Sequence, residues 1–233
     1  MDTAGTPTSP PRPSSGPVTQ LINCRLLRDG ELVHDDLWIQ DGVIIDPRER
    51  FFTHKLTSDH KVDLGGLIVS PGYIDIQING AFGVDFSTCV PDELPAGLRK
   101  VAFGLLQHGV TSFLPTLMSS SPENYRRILA TVQPTPGTVH NGAEILGWHL
   151  EGPFLNANVA GSHDKAYIRS FEAGRNGIHD VYGPFLDSVR IITIAPELQG
   201  ALDVIQRLSR AGIVVAAGTA PNPAGAAVGS ARG

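Results

Sequence analysis

Gly147-Trp148-His149-Leu150-Glu151-Gly152-Pro153-Phe154 is an apolar run that closes on a carboxylate and a glycine-proline stop. Side chains alternate along a strand, so His149 and Glu151 face the same way. A carboxylate at the end of a buried strand needs a partner, because an unpaired buried charge is too costly. A divalent metal is one such partner and a buried Arg or Lys is another, and spacing alone leaves both open. His149 reads either as a hydrogen-bonded core histidine or as a second ligand.

On either side of this stretch, short strands alternate with helices. Tyr73 to Ile78, Thr111 to Leu117, Glu144 to Leu150, Val189 to Ile194 and Ile213 to Val215 are five apolar runs of strand length. Between the first two, Leu94, Leu98, Val101, Ala102 and Leu105 recur at helical spacing. Ser121-Pro122-Glu123 opens a second helix to about Val132, with Ser121 placed as its N-cap. Leu202 to Leu208 lies on a further helix. Such βα units indicate a parallel sheet, either doubly wound or closed as a (β/α)8 barrel. No G-x-G-x-x-G follows the first strand, which lowers the dinucleotide-binding option. Polar Gln77, Asn79, Thr116, Glu151 and Glu197 cluster at strand ends, where barrel enzymes build their sites. A complete barrel needs roughly 250 residues, so the expectation is an incomplete one of about five strands.

Residues 18–70 carry a different rhythm. Asp29-Gly30 and Asp41-Gly42 separate apolar runs, the strongest short-range hairpin signal. They predict a small antiparallel β module. Residues 1–17 are dominated by Pro, Ser, Thr and Gly and read as a disordered leader or a proline-rich ligand. Residues 219–233 read as a divergent, disordered tail that follows a buried strand directly, as in an interrupted chain.

Composition sets outer limits. The 233 residues are 41% hydrophobic and 18% charged, with a net charge of −5, which excludes a disordered chain and gives no footprint for nucleic acid. Cys24 and Cys89 are far apart and form no CxxC pair, which suits a reducing, cytoplasmic setting. No apolar run is long enough for a membrane helix, and no signal peptide is evident. Neither a G-x-S-x-G elbow nor a Walker A sequence is present.

Two further clusters could carry chemistry. Gln77 and Asn79 place two amides on one face of the first strand, where they bind a polar ligand or water, or else the loop backbone. Gly161-Ser162-His163-Asp164 is a loop whose histidine either reaches a substrate from above or is solvated. His34, His54, His60, His108, His140 and His179 share no metal-ligand spacing.

Residues 71–87 (PGYIDIQINGAFGVDFS), 108–117 (HGVTSFLPTL), 147–156 (GWHLEGPFLN), 161–171 (GSHDKAYIRSF) and 193–198 (TIAPEL) together resemble the N-acetylglucosamine-6-phosphate deacetylase family of the amidohydrolase superfamily. The resemblance covers about residues 20–218, and Gln77 and Asn79 stand where other amidohydrolases carry H-x-H. It implies a (β/α)8 barrel of the metal-dependent hydrolase type, represented here by residues 71–218. Residues 18–70 would then be the N-terminal portion of a small β-sandwich. It also implies a divalent metal of the zinc or iron class that activates water against an N-acetyl group. Glu151 matches the family's metal-binding glutamate, and Ser162 and His163 match the loop pair that contacts the amino-sugar phosphate. A homodimer is implied as well.

The departures from the family lie at the C-terminal end. The family's fifth strand ends in Gly-His, with that His a metal ligand; here Thr219 follows Gly218. A second ligand His and a catalytic Asp, on later strands of the family, have no counterpart. The expectation is a family member with an incompletely liganded metal and no catalytic acid/base residue, with an inactive truncated chain as the alternative.

Overall fold

The computed structural model describes residues 16–48, 57–171 and 177–218. The leader up to residue 15, Thr219 and the tail lie outside them. The chain divides after Pro71 into two units.

The first unit is one five-stranded sheet. Strands β1 (Val18–Arg28), β2 (Glu31–Gln40) and β3 (Val43–Ile44) form two hairpins. Asp29, Gly30, Asp41 and Gly42 all take positive φ, between 51° and 84°. That is the geometry of a type I′ turn, whose twist matches the strands it joins. Strands β4 (His60–Asp63) and β5 (Ile68–Val69) run parallel to β1. The sheet is therefore mixed rather than purely antiparallel. A hairpin has a local signature in its turn residues, whereas a returning strand has none.

The second unit holds the parallel strands. They are β6 (Tyr73–Ile78), β9 (Val110–Leu117), β11 (Trp148–Glu151), β12 (Val189–Ile194) and β13 (Val214–Ala217), hydrogen-bonded in that order. They make a curled five-stranded half of a (β/α)8 barrel. Helix α1 (Leu94–Leu106) buries Leu94, Leu98, Val101, Ala102 and Leu105, the stripe anticipated from its spacing. Helix α2 (Pro122–Leu129) is capped by Ser121, whose hydroxyl accepts from the Asn124 amide at 3.1 Å. Helices α3 (Gly177–Tyr182) and α4 (Ala201–Arg210) pack into the same core around Phe113, Trp148, Leu150 and Ile192.

Two details depart from the sequence reading. The expected strand over residues 144–150 is split into β10 (Glu144–Ile145) and β11. Gly147 breaks it with φ 142°, where a Cβ would come within 2.7 Å of the Ser188 carbonyl oxygen. Beyond Asn79, the chain also makes a small hairpin of β7 (Gly80–Ala81) and β8 (Val84–Asp85). At Gly80 a Cβ would collide with the Val84 carbonyl oxygen.

Candidate active site

The parallel strands deliver their C-terminal ends to one cavity of about 410 Å³. Gln77 and Asn79 reach it from β6, Met118 from just past β9, Glu151 from β11 and Thr193 from β12. Residues 216–218 close it at β13. Ser162 and His163 reach it from the loop between β11 and α3. That loop is ordered by local bonds. Asp164 accepts from the Ala166 amide at 2.9 Å and caps a single 3-10 turn over Lys165–Tyr167. The His163 amide donates back to the Ala160 carbonyl at 3.1 Å.

Glu151 is half-buried and lies 3.6 Å (Oε1) from Nε2 of His163. The His163 ring is the largest influence holding its carboxyl below the usual range, and Asn79 and His149 act in the same direction. Burial opposes them. Asn79 Nδ2 is itself buried and completes no hydrogen bond of ordinary geometry. It is thus a donor turned toward a carboxylate with room for another acceptor.

The two histidines are fixed by opposite partners. Nδ1 of His149 lies 2.8 Å from the Ile76 carbonyl, which can only accept, so Nδ1 carries the proton. Nε2 then accepts from the Thr193 hydroxyl at 2.8 Å. Both nitrogens of this buried ring are engaged, and burial pushes its pKa down. His149 is a hydrogen-bonded core residue beneath Glu151. His163 is the reverse case. The Ser119 amide, which can only donate, meets its Nδ1 at 3.1 Å, and the Ser119 hydroxyl lies 2.8 Å away. Nδ1 is therefore the acceptor, and Nε2–H faces Glu151.

Two of the strand-end polar residues stand apart from the cavity. Thr116 is buried, donating to Leu114 and accepting from the Ile78 amide, both at 3.1 Å. Glu197 is exposed and accepts from Asn156 at 2.9 Å. Ser119 lies outside the stretches that carry the resemblance, and Thr193 opens one of them without any sign of its partner. Their link to the site is between residues 44 apart in sequence, a relation only the folded chain reveals.

Among the described residues no three His, Cys, Asp or Glu side chains group as a metal site. With both nitrogens of His149 engaged and Nε2 of His163 carrying a proton, Glu151 is the one His, Cys, Asp or Glu side chain of the described pocket lining that offers a free ligand atom. Catalytic zinc takes three protein ligands, so the described residues do not fit a complete centre.

A half-barrel of parallel strands with its polar pocket at the strand C-termini places the second unit in the (β/α)8-barrel class. Comparison with known proteins narrows this. The chain is 50% identical over 208 residues to N-acetylglucosamine-6-phosphate deacetylase of Mus musculus, covering 88% of this chain and 50% of that protein. It is 47% identical over 202 residues to the Homo sapiens enzyme of the same name, covering 86% and 49%. N-acetyl-D-glucosamine-6-phosphate deacetylase from Mycobacterium smegmatis, solved in complex with N-acetyl-D-glucosamine-6-phosphate, matches with TM-score 0.62 and 26% identity over 88% of this chain and 50% of that one. The Pasteurella multocida enzyme matches in fold, with TM-score 0.65 and 24% identity over 86% and 50%. No family model matches. The chain is thus a homologue of the N-acetylglucosamine-6-phosphate deacetylases, and it spans about half the length of the curated relatives it matches.

Proposed function

We propose that this chain carries part of the site of an N-acetylglucosamine-6-phosphate deacetylase, which hydrolyses the N-acetyl group to give glucosamine 6-phosphate and acetate. The observation that carries the reading is Glu151, held ionised at the end of β11 in a polar pocket, within a chain homologous to such enzymes. Glu151 takes the role of the metal-binding carboxylate, for a divalent ion of the zinc or iron class. When bound, such an ion lowers the pKa of water and polarises an amide carbonyl. Ser162 and His163 contact the amino-sugar phosphate. His163 presents Nε2–H, and the Asn79 amide beside Glu151 offers a second donor for a ligand oxygen. No nucleic acid or membrane partner is proposed, and among the described residues no helix is long and apolar enough to cross a membrane. A homodimer in the cytoplasm is part of the same reading.

One observation favours a second reading, that the 233 residues alone are catalytically inactive. Among the described residues Glu151 alone offers a free carboxylate or imidazole ligand atom where three ligands are needed, and the described pocket lining holds no further carboxylate to move a proton. Both readings are tested together. Titration of N-acetylglucosamine 6-phosphate into the isotope-labelled chain should shift resonances of Asn79, Glu151, Ser162 and His163. Glucosamine 6-phosphate, which lacks the acetyl group, should shift fewer. Absence of any shift in the pocket would refute the deacetylase site. Acetate release with added zinc should be undetectable, and an enzyme-like rate would refute the second reading.

A further inference from the structure

We propose that Tyr125 and Tyr182 are positioning residues, whose hydroxyls hold the Gly152 carbonyl and so fix the backbone on which Glu151 is presented. The inference rests on the reading of Glu151 as the functional carboxylate. Tyr182, the last residue of α3, donates to the Gly152 carbonyl at 2.6 Å. Tyr125 of α2 stands 3.2 Å from the same oxygen and 2.9 Å from the Met118 carbonyl. Both rings are fully buried and meet edge-to-face at 5.0 Å between centroids.

A phenol has one proton. Tyr125 therefore shares it between two carbonyls, and the shorter contact gives Met118 the larger part. Tyr182 is the principal partner of Gly152. Together the pair ties the ends of β9 and β11, and Met118 and Glu151 both line the pocket. Burial pushes both phenols well above their ordinary pKa, so they remain donors. The opposite side of Gly152 is equally constrained. Its amide donates to the Thr193 carbonyl at 3.3 Å, its φ is +82°, and a Cβ would collide with the Ser119 hydroxyl. Among the described residues no other hydrogen bond reaches the Gly152 carbonyl. Removing the phenols would leave a buried acceptor unpaired next to Glu151.

The test uses the full chain labelled with carboxyl-13C glutamate. The Glu151 line is assigned by its loss in Glu151→Gln. In Tyr182→Phe the Glu151 line should shift or broaden well below the unfolding temperature, and affinity for N-acetylglucosamine 6-phosphate should fall about tenfold, in the range that supporting hydrogen bonds command. Tyr125→Phe should move the line less, since Tyr182 still holds Gly152. It decides the matter alone if Tyr182→Phe does not fold. The exposed Tyr73→Phe should change neither readout. Lower unfolding temperatures with an unmoved Glu151 line in both variants would overturn the inference and leave the tyrosines merely structural. If the unsubstituted chain shows no affinity for the sugar phosphate, the deacetylase reading fails, while the Glu151 line still decides the positioning role.

Discussion

Nε2 of His163 stands 3.6 Å from Oε1 of Glu151, while its Nδ1 is held by the Ser119 amide. The separation is longer than a hydrogen bond and too short to admit an oxygen in line, so a ligand oxygen would meet both groups from the side that faces the pocket. The ring is locked as a donor on the pocket side and as an acceptor on the scaffold side. One residue from the loop and one from the strand end thus form a polar pair, and Ser119, two residues past β9, fixes the ring.

Removing the carboxylate should separate function from folding. Glu151→Gln keeps the side-chain volume at a half-buried position. Its thermal unfolding should stay close to the parent's, with a stability change within about 1 kcal/mol. In a complete relative bearing the same HLEGPF motif, the equivalent change should strongly weaken metal binding and turnover, as read by elemental analysis and acetate release. Full metal occupancy with a normal rate would contradict the role given to Glu151.

Stability should rise with pH across the weakly acidic range. His149 is kept neutral chiefly by burial, with its folded pKa below the usual 6.5. The unfolded chain therefore takes up a proton near that pH that the folded chain refuses. The resulting contribution is present above about 6.5 and lost as pH falls. Glu151, also depressed, adds a contribution present above the usual 4.5 and lost as pH falls through its lower folded value. Urea midpoints between pH 7.5 and 5 should fall monotonically, and His149→Gln should flatten that slope. An unchanged slope in the variant would remove His149 as the cause.

Gly152→Ala should be among the more damaging single-methyl additions in the chain. A left-handed conformation costs a non-glycine residue about 1–3 kcal/mol. The new Cβ would also meet the Ser119 hydroxyl and the Leu155 side chain, and overpacking adds about 1–3 kcal/mol. Denaturant unfolding checks the sum, and a loss below about 1 kcal/mol would show that the loop relaxes around the methyl.

Ser121→Ala should cost about 1 kcal/mol, the usual loss for an N-cap hydroxyl, because it accepts the Asn124 amide at the start of α2. Ser121→Asp should restore most of the loss in the same unfolding measurement. A full-stability alanine variant would mean that Pro122 alone fixes the helix start.

Elements with a strong local signal were legible in the sequence. The bounds of β6 and β12, the buried stripe of α1 and the Ser121 cap all follow from periodicity and capping chemistry. The break at Gly147 was hidden, because an apolar run of strand length does not show which glycine must leave extended geometry. The β7–β8 hairpin and α3 are too short for periodicity to register. Within the site, Glu151, Gln77, Asn79, Ser162 and His163 were visible as polar residues at strand ends or in a loop. The partners that set their chemistry were not. Ser119, Tyr125, Thr193 and Tyr182 act across separations of 27 to 44 residues, and neither hydroxyl nor phenol advertises its target in advance.

Strand β9 is flanked on both sides. β6 pairs with Ser112 and Phe113 along one edge, and β10 pairs with the same two residues along the other, with β11 continuing at Thr116 and Leu117. Its interior amides are enclosed by neighbouring backbone and by the side chains of Phe113, Leu114 and Leu117, all buried. Local fluctuation cannot release them one at a time. In deuterated solvent, β9 should keep its protons longest in the second unit, exchanging only through cooperative opening of the unit. The rim residues of β13 should exchange earlier, so the backbone beside Ser119 would report global rather than local opening.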